Sequence, residues 1–174
     1  MPDRAAGALT LVIGGARSGK SAHAERLVTA CPAPWSYIAT AQAYDEEMHQ
    51  RIALHRSRRG GAGWTTIEAP LDLAGAIEAL PDGRPVLIDC LTLWLTNQML
   101  AEHDFEAECQ KLADVLSRQR GPWFVVSNEV GQGIVPDNAL ARQFRDAAGR
   151  LNQDVAAVAD TVLLMVAGLP LKVK

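Results

Sequence analysis

Gly14-Gly15-Ala16-Arg17-Ser18-Gly19-Lys20-Ser21 fits the pattern G-x-x-x-x-G-K-[ST] at every fixed position. The apolar run Leu9-Thr10-Leu11-Val12-Ile13 precedes it, and Ala22-His23-Ala24-Glu25-Arg26-Leu27, which reads as helix, follows. That strand, loop and helix setting is the context a phosphate-binding loop requires. Glycines let backbone N–H groups turn inward around a triphosphate, and a helix N-terminus adds partial positive charge. In such a loop Lys20 is expected to reach the β- and γ-phosphates, and the Ser21 hydroxyl to ligate Mg²⁺.

Working outward, apolar runs of strand length alternate with helical stretches, which predicts an α/β fold: a mostly parallel sheet covered by helices on both faces. Strands are expected at 9–13, 35–40, 86–89, 123–127 and 162–166. Helices are expected near 21–30, 46–57, 71–80, 91–100, 106–118 and 138–159. The last is the clearest, because Leu140, Phe144, Ala147, Ala148, Leu151, Val155 and Val158 recur at helical spacing. No repeat, linker or low-complexity tract interrupts the pattern, so a single domain is expected. Gly60-Gly61-Ala62-Gly63 is the only flexible patch, and it suits a mobile loop near phosphates.

Composition narrows the class. The chain has 174 residues, of which 48% are hydrophobic, enough to fill one core. Its net charge of −3 gives no global electrostatic basis for binding nucleic acid or an anionic membrane. The polar start, Met1 to Ala8, and the five-residue apolar run after it are too short for a signal peptide or a membrane span. Cys31, Cys90 and Cys109 are odd in number and form no C-x-x-C, which suits reduced thiols and a cytoplasmic location.

Three further stretches carry chemistry. Val86-Leu87-Ile88-Asp89 is an apolar strand ending in a carboxylate, and Asp89 is the expected magnesium-site acid beside Ser21. Arg51 to Arg59 places four arginines and one histidine within nine residues of an acidic protein. If that stretch is helical, Met48, Ile52 and His55 share a face, with Arg51 beside His55. Arginines around an imidazole favour its neutral, nucleophilic form and neutralise the phosphate oxygens it must approach. Attack by His55 on an α-phosphorus would give a nucleotidyl-histidine and release pyrophosphate; simple phosphate binding by the same cluster is the alternative. His49 lies nearly opposite His55 on a helical wheel, His23 follows the glycine loop and His103 sits in an acidic stretch; no spacing suggests a zinc site. Asn128-Glu129-Val130-Gly131-Gln132-Gly133-Ile134-Val135-Pro136 follows a strand and suits a ligand crevice, where Asn128 or Glu129 would face a substrate hydroxyl or the metal's water.

GGARSGKS at 14–21, YIAT at 37–40, the DEEM…RI…HR segment at 45–56, W-x-x-x-E at 64–68, LIDCLT at 87–92 and SNEVGQGIVP at 127–136 together resemble one family. It is the bifunctional adenosylcobinamide kinase/adenosylcobinamide-phosphate guanylyltransferase of cobalamin biosynthesis. The similarity runs from about residue 10 to the C-terminus and includes RQFRDAAGRLNQ at 142–153.

The resemblance implies a RecA-like sheet over residues 9–174, with residues 1–8 as an extension, and a homotrimer. It implies phosphorylation of adenosylcobinamide by ATP or GTP, then transfer of GMP from GTP through a histidine to give adenosylcobinamide-GDP. The family's nucleotidylated histidine falls on His55. Its nucleotide contacts fall on Gly14, Gly15, Ala16, Arg17, Ser18, Gly19, Lys20 and Ser21, on Ala39, Thr40 and Ala41, on Arg56, Ser57, Arg58 and Arg59, and on Glu68 and Asp89. For Glu68 the resemblance alone supplies the role; the residues show only an acid closing a short strand. Arg59-Gly60 stands where many relatives have Arg-Pro. Two other readings share the glycine loop: a small-molecule kinase without nucleotidyl transfer, and a non-catalytic GTP-binding module.

Overall fold

The structure, a computed structural model, describes residues 8–42 and 63–174. Strands β1 (Leu9–Gly14), β2 (Trp35–Ala39), β3 (Trp64–Glu68), β4 (Val86–Asp89), β5 (Trp123–Asn128), β6 (Thr161–Val166) and β7 (Leu169–Lys172) form one seven-stranded sheet. The order is β3-β2-β4-β5-β1-β6-β7. All pairings are parallel except β6 with β7. The helices are α1 (Lys20–Thr29), α2 (Leu73–Glu78), α3 (Leu91–Leu100), α4 (Phe105–Leu116) and α5 (Ala139–Val158).

Strand period decides the layers. Successive side chains alternate between faces, and both faces of a parallel sheet must be covered. Leu9, Leu11, Ile38, Val86, Ile88, Trp123 and Val125 point to one side, where α2, α3, α4 and α5 bury Leu73, Leu95, Leu112 and Leu151 against them. Val12, Tyr37, Leu87, Phe124 and Val126 point to the other, where Ala24 and Val28 of α1 cover them. Three helix starts away from the glycine loop are closed by side chains: Asp72 accepts from Gly75 N–H, Asp104 from Ala107 N–H and Asn138 from Ala141 N–H, whereas α3 begins after Cys90 without a side-chain cap.

The five strands expected from the sequence are present, and Glu68 closes a short strand, β3. Within the described residues the helices also match in type, with ends shifted by one or two residues; α2 is the shorter 73–78. The helix expected over 46–57 lies outside the described residues, as do Gly60, Gly61 and Ala62 of the flexible patch. β7 is an addition, and it makes the sheet mixed. Four exposed residues with Pro170 among them give no buried alternation, and Pro is tolerated there because the strand is at the sheet edge.

Ile88 is fully buried on the interior strand β4. Ile88→Ala is expected to cost about 2–5 kcal/mol, read as a shift in the urea midpoint followed by tryptophan fluorescence.

Candidate active site

Parallel strands end on one edge, and the register brings the expected residues to it. Ala39 stands opposite both Glu68 and Asp89, while Gly14 stands opposite Asn128 and Met165. Because β5 lies between β4 and β1, Asn128 separates the Asp89 strand end from the phosphate loop. The chain leaves β1 towards β2 on one side and reaches β6 on the other, which opens a crevice at this edge.

The loop itself is shaped by backbone. Arg17 (φ 56°) and Gly19 (φ 94°) lie in the left-handed region, and Gly19 is the N-cap of α1 without a side-chain cap. The first-turn amides of α1 therefore carry no capping side chain, which is what an anion needs. At Gly14 a Cβ would stand 2.7 Å from the Met165 carbonyl oxygen and 2.8 Å from Ser18 Oγ, so only glycine fits. Lys20, 7% exposed, folds back and donates to the Gly15 carbonyl at 2.5 Å.

Burial lowers the Lys20 pKa below the ordinary lysine value, and the Cys90 sulfur and the Asp89 carboxylate oppose that shift. Burial also raises the Cys90 thiol. Cys90 is therefore neutral near pH 7, and Asp89 is the anion that balances Lys20.

Thr40 is fully buried, and its hydroxyl is engaged away from the crevice. Its Oγ1 donates to the Cys90 carbonyl at 2.7 Å and accepts from the Cys90 N–H at 2.8 Å. The hydroxyl thus fixes the residue that follows Asp89. Asn97 Nδ2 donates to the Thr40 and Pro70 carbonyls at 2.7 and 3.0 Å, which pins α3 across the ends of β2 and β3. Asn128 Nδ2 donates to Thr92 Oγ1 at 2.6 Å, and Asn152 Nδ2 donates to the Asn128 carbonyl at 3.1 Å. Glu129 N–H donates to the Gly14 carbonyl at 3.0 Å. Sequence reasoning gave no role to Thr92, Asn97 or Asn152; for the two asparagines the available signal was an amide on an otherwise apolar helical face.

The structure thus gathers Gly14 to Ser21, Ala39 to Ala41, Glu68 and Asp89 on one edge, with Glu68 exposed at its far side. His55, Arg56, Ser57, Arg58 and Arg59 lie outside the described residues. Among the described residues no group of three or more His, Cys, Asp and Glu side chains could hold a metal. Ser21 and Asp89 still suit Mg²⁺, which is commonly held by one or two protein oxygens together with substrate phosphates.

A glycine loop feeding a helix, with an acid ending the strand two places along a RecA-like sheet, defines a P-loop nucleotide-binding protein. The RadB recombinase has a similar fold at a TM-score of 0.52 and 17% identity, covering 92% of this chain and 74% of that one. Residues 10–173 match the family described as cobinamide kinase / cobinamide phosphate guanyltransferase. The chain is 47% identical over 167 residues to the bifunctional adenosylcobalamin biosynthesis protein CobP of Pseudomonas aeruginosa, spanning 94% of this chain and 96% of that protein. It is 42% identical over 183 residues to the bifunctional adenosylcobalamin biosynthesis protein CobU of Salmonella typhimurium, spanning 95% and 99%. The chain belongs to the cobinamide kinase / cobinamide phosphate guanyltransferase family.

Two outcomes are expected. Thr40→Val strands the buried Cys90 N–H and leaves the Cys90 carbonyl with the Trp94 N–H alone, and is expected to cost about 1–3 kcal/mol in denaturant unfolding. A lysine whose pKa is lowered by folding costs stability wherever the unfolded chain holds its proton. That penalty is present at neutral pH, fades as pH rises from the lowered folded value towards the ordinary 10.5, and is gone above it. Lys20→Met is therefore expected to melt no lower than the wild type at pH 7 while losing phosphoryl transfer.

Proposed function

We propose that this chain phosphorylates adenosylcobinamide with ATP or GTP, and then transfers GMP from GTP to the product to form adenosylcobinamide-GDP and pyrophosphate. The observation that carries the reading is the family match over residues 10–173, joined to a phosphate loop whose buried Lys20 donates to the Gly15 carbonyl. In this reading residues 9–174 act as one catalytic unit, and residues 1–8 precede it.

In the first step the acceptor hydroxyl attacks the γ-phosphorus and the nucleoside diphosphate leaves. Lys20 and the loop amides neutralise charge that grows on the phosphate oxygens. Ser21 and Asp89 would hold Mg²⁺, which supplies further charge neutralisation when bound. Ala39, Ala41 and Glu68 line the same edge and contact the nucleotide, while Thr40 acts through Cys90 on the position of Asp89.

In the second step a nitrogen of His55 attacks the α-phosphorus of GTP and pyrophosphate leaves. The phosphate of the first product then displaces His55 from the guanylyl group. Arg56, Ser57, Arg58 and Arg59 accompany His55 and balance the phosphates. Placing γ-phosphorus and α-phosphorus chemistry on one loop requires the nucleotide or the His55 segment to move between steps. The partners are then a corrinoid and nucleoside triphosphates, with neither nucleic acid nor an inserted membrane involved, in the cytoplasm. Among the described residues no helix is long and apolar enough to cross a membrane. A homotrimer completes the proposal; Leu169, Leu171 and Val173 offer exposed apolar surface at the sheet edge to a second copy.

Incubating the chain with GTP labelled at the α-phosphorus tests the second step. The wild type is expected to acquire an acid-labile, base-stable label, and His55→Ala to acquire none while keeping part of its kinase turnover. Label on the variant would remove His55 from the role of nucleophile.

A further inference from the structure

The phosphate loop is also gripped from outside its own strand and helix. The reversal between β6 and β7 is tight, with Ala167 at φ 50° and Gly168 at φ 81°. The Gly168 N–H donates to the Ser18 carbonyl at 3.0 Å. A Cβ on Gly19 would stand 3.2 Å from the Gly168 Cα. At the other end of the loop, Gly14 pairs with Met165 of β6 and leaves no room for a Cβ beneath the Met165 carbonyl. The loop is therefore seated against the hairpin at both of its outer glycines.

We propose that the Ala167–Gly168 turn is a positioning element for nucleotide phosphates, with Gly168 as its key residue. The Ser18 carbonyl and the Gly19 N–H belong to one peptide unit, and in a trans peptide they point in opposite directions. Anchoring the carbonyl on the Gly168 N–H directs the Gly19 N–H away from the hairpin, towards the space the loop encloses. The hairpin thus orients an amide donor at the start of α1 without itself touching the ligand. A shift of β6–β7 would rotate that peptide and misdirect the donor. The proposal rests on the reading of this loop as the nucleotide site.

Gly168 offers a direct test, because a Cβ there meets nothing within 4 Å while the positive φ strains most residues that carry one. Asparagine tolerates positive φ, whereas a β-branched residue does not. The dissociation constant of Mg²⁺ with the GTP analogue GMPPNP is measured by calorimetry for the full-length wild type, Gly168→Asn and Gly168→Val. Gly168→Asn is expected to bind within about twofold of wild type and Gly168→Val about tenfold more weakly, the scale of a strained left-handed residue. In parallel, amide exchange by NMR on the wild type compares Gly168 with Val173, whose N–H donates to Val162 in the same hairpin. GMPPNP is expected to slow Gly168 and leave Val173 unchanged, a readout that survives if Gly168→Val does not fold. Equal binding by all three proteins, equal loss in both variants, or a Gly168 amide indifferent to the analogue would overturn the proposal. Failure of the wild type to bind GMPPNP would instead overturn the nucleotide reading.

Discussion

A buried ammonium sets the terms for this structure. Lys20 sits 7% exposed at the start of α1, hydrogen-bonded to the Gly15 carbonyl and within the favourable field of the Asp89 carboxylate. Withdrawing a cation from water is unfavourable unless opposite charge and hydrogen-bond acceptors are fixed nearby. The fold meets that requirement by ending β1 and β4 on the same edge with β5 between them. The loop must also turn back on itself to bring Lys20 there, which explains a glycine at 14, where no Cβ fits, and a left-handed glycine at 19. A cation held at a cost in the free chain is ready for a polyanion.

Around that centre lies a layer of polar side chains whose visible partners are other protein groups. Thr40 fixes the backbone of Cys90, Asn97 fixes Thr40 and Pro70, Asn128 fixes Thr92, and Asn152 fixes Asn128. Each satisfies buried groups that would otherwise be costly to leave unpaired. Together they tie α3, α5 and the ends of β2, β4 and β5 into one rigid edge. The side of the crevice bearing Val130, Ile134 and Val135 is different: Ile134 is 96% exposed, and the loop is joined to the phosphate loop through Glu129.

The sequence made the centre legible because its signals are local. Gly14 to Ser21 carry their chemistry in eight consecutive residues, and Asp89 announces itself as a carboxylate ending an apolar strand. The parallel strands were readable from apolar runs for the same reason. What stayed hidden depends on distance in the fold rather than along the chain. YIAT marked Thr40 as a nucleotide contact, yet its side chain serves Cys90, fifty residues away. β7 is exposed along its whole length and contains a proline, so no buried pattern marks it. Gly168 reads as an ordinary turn glycine until its amide is seen on Ser18, 150 residues earlier.

The central claim is that Lys20 stands in reserve for a triphosphate. The most direct measurement is a crystal structure of the full chain with Mg²⁺ and GMPPNP. The account predicts that the Lys20 ammonium leaves the Gly15 carbonyl and lies within hydrogen-bond distance of the β- and γ-phosphate oxygens, with the loop amides facing them. A triphosphate bound elsewhere, with Lys20 still on Gly15, would contradict it.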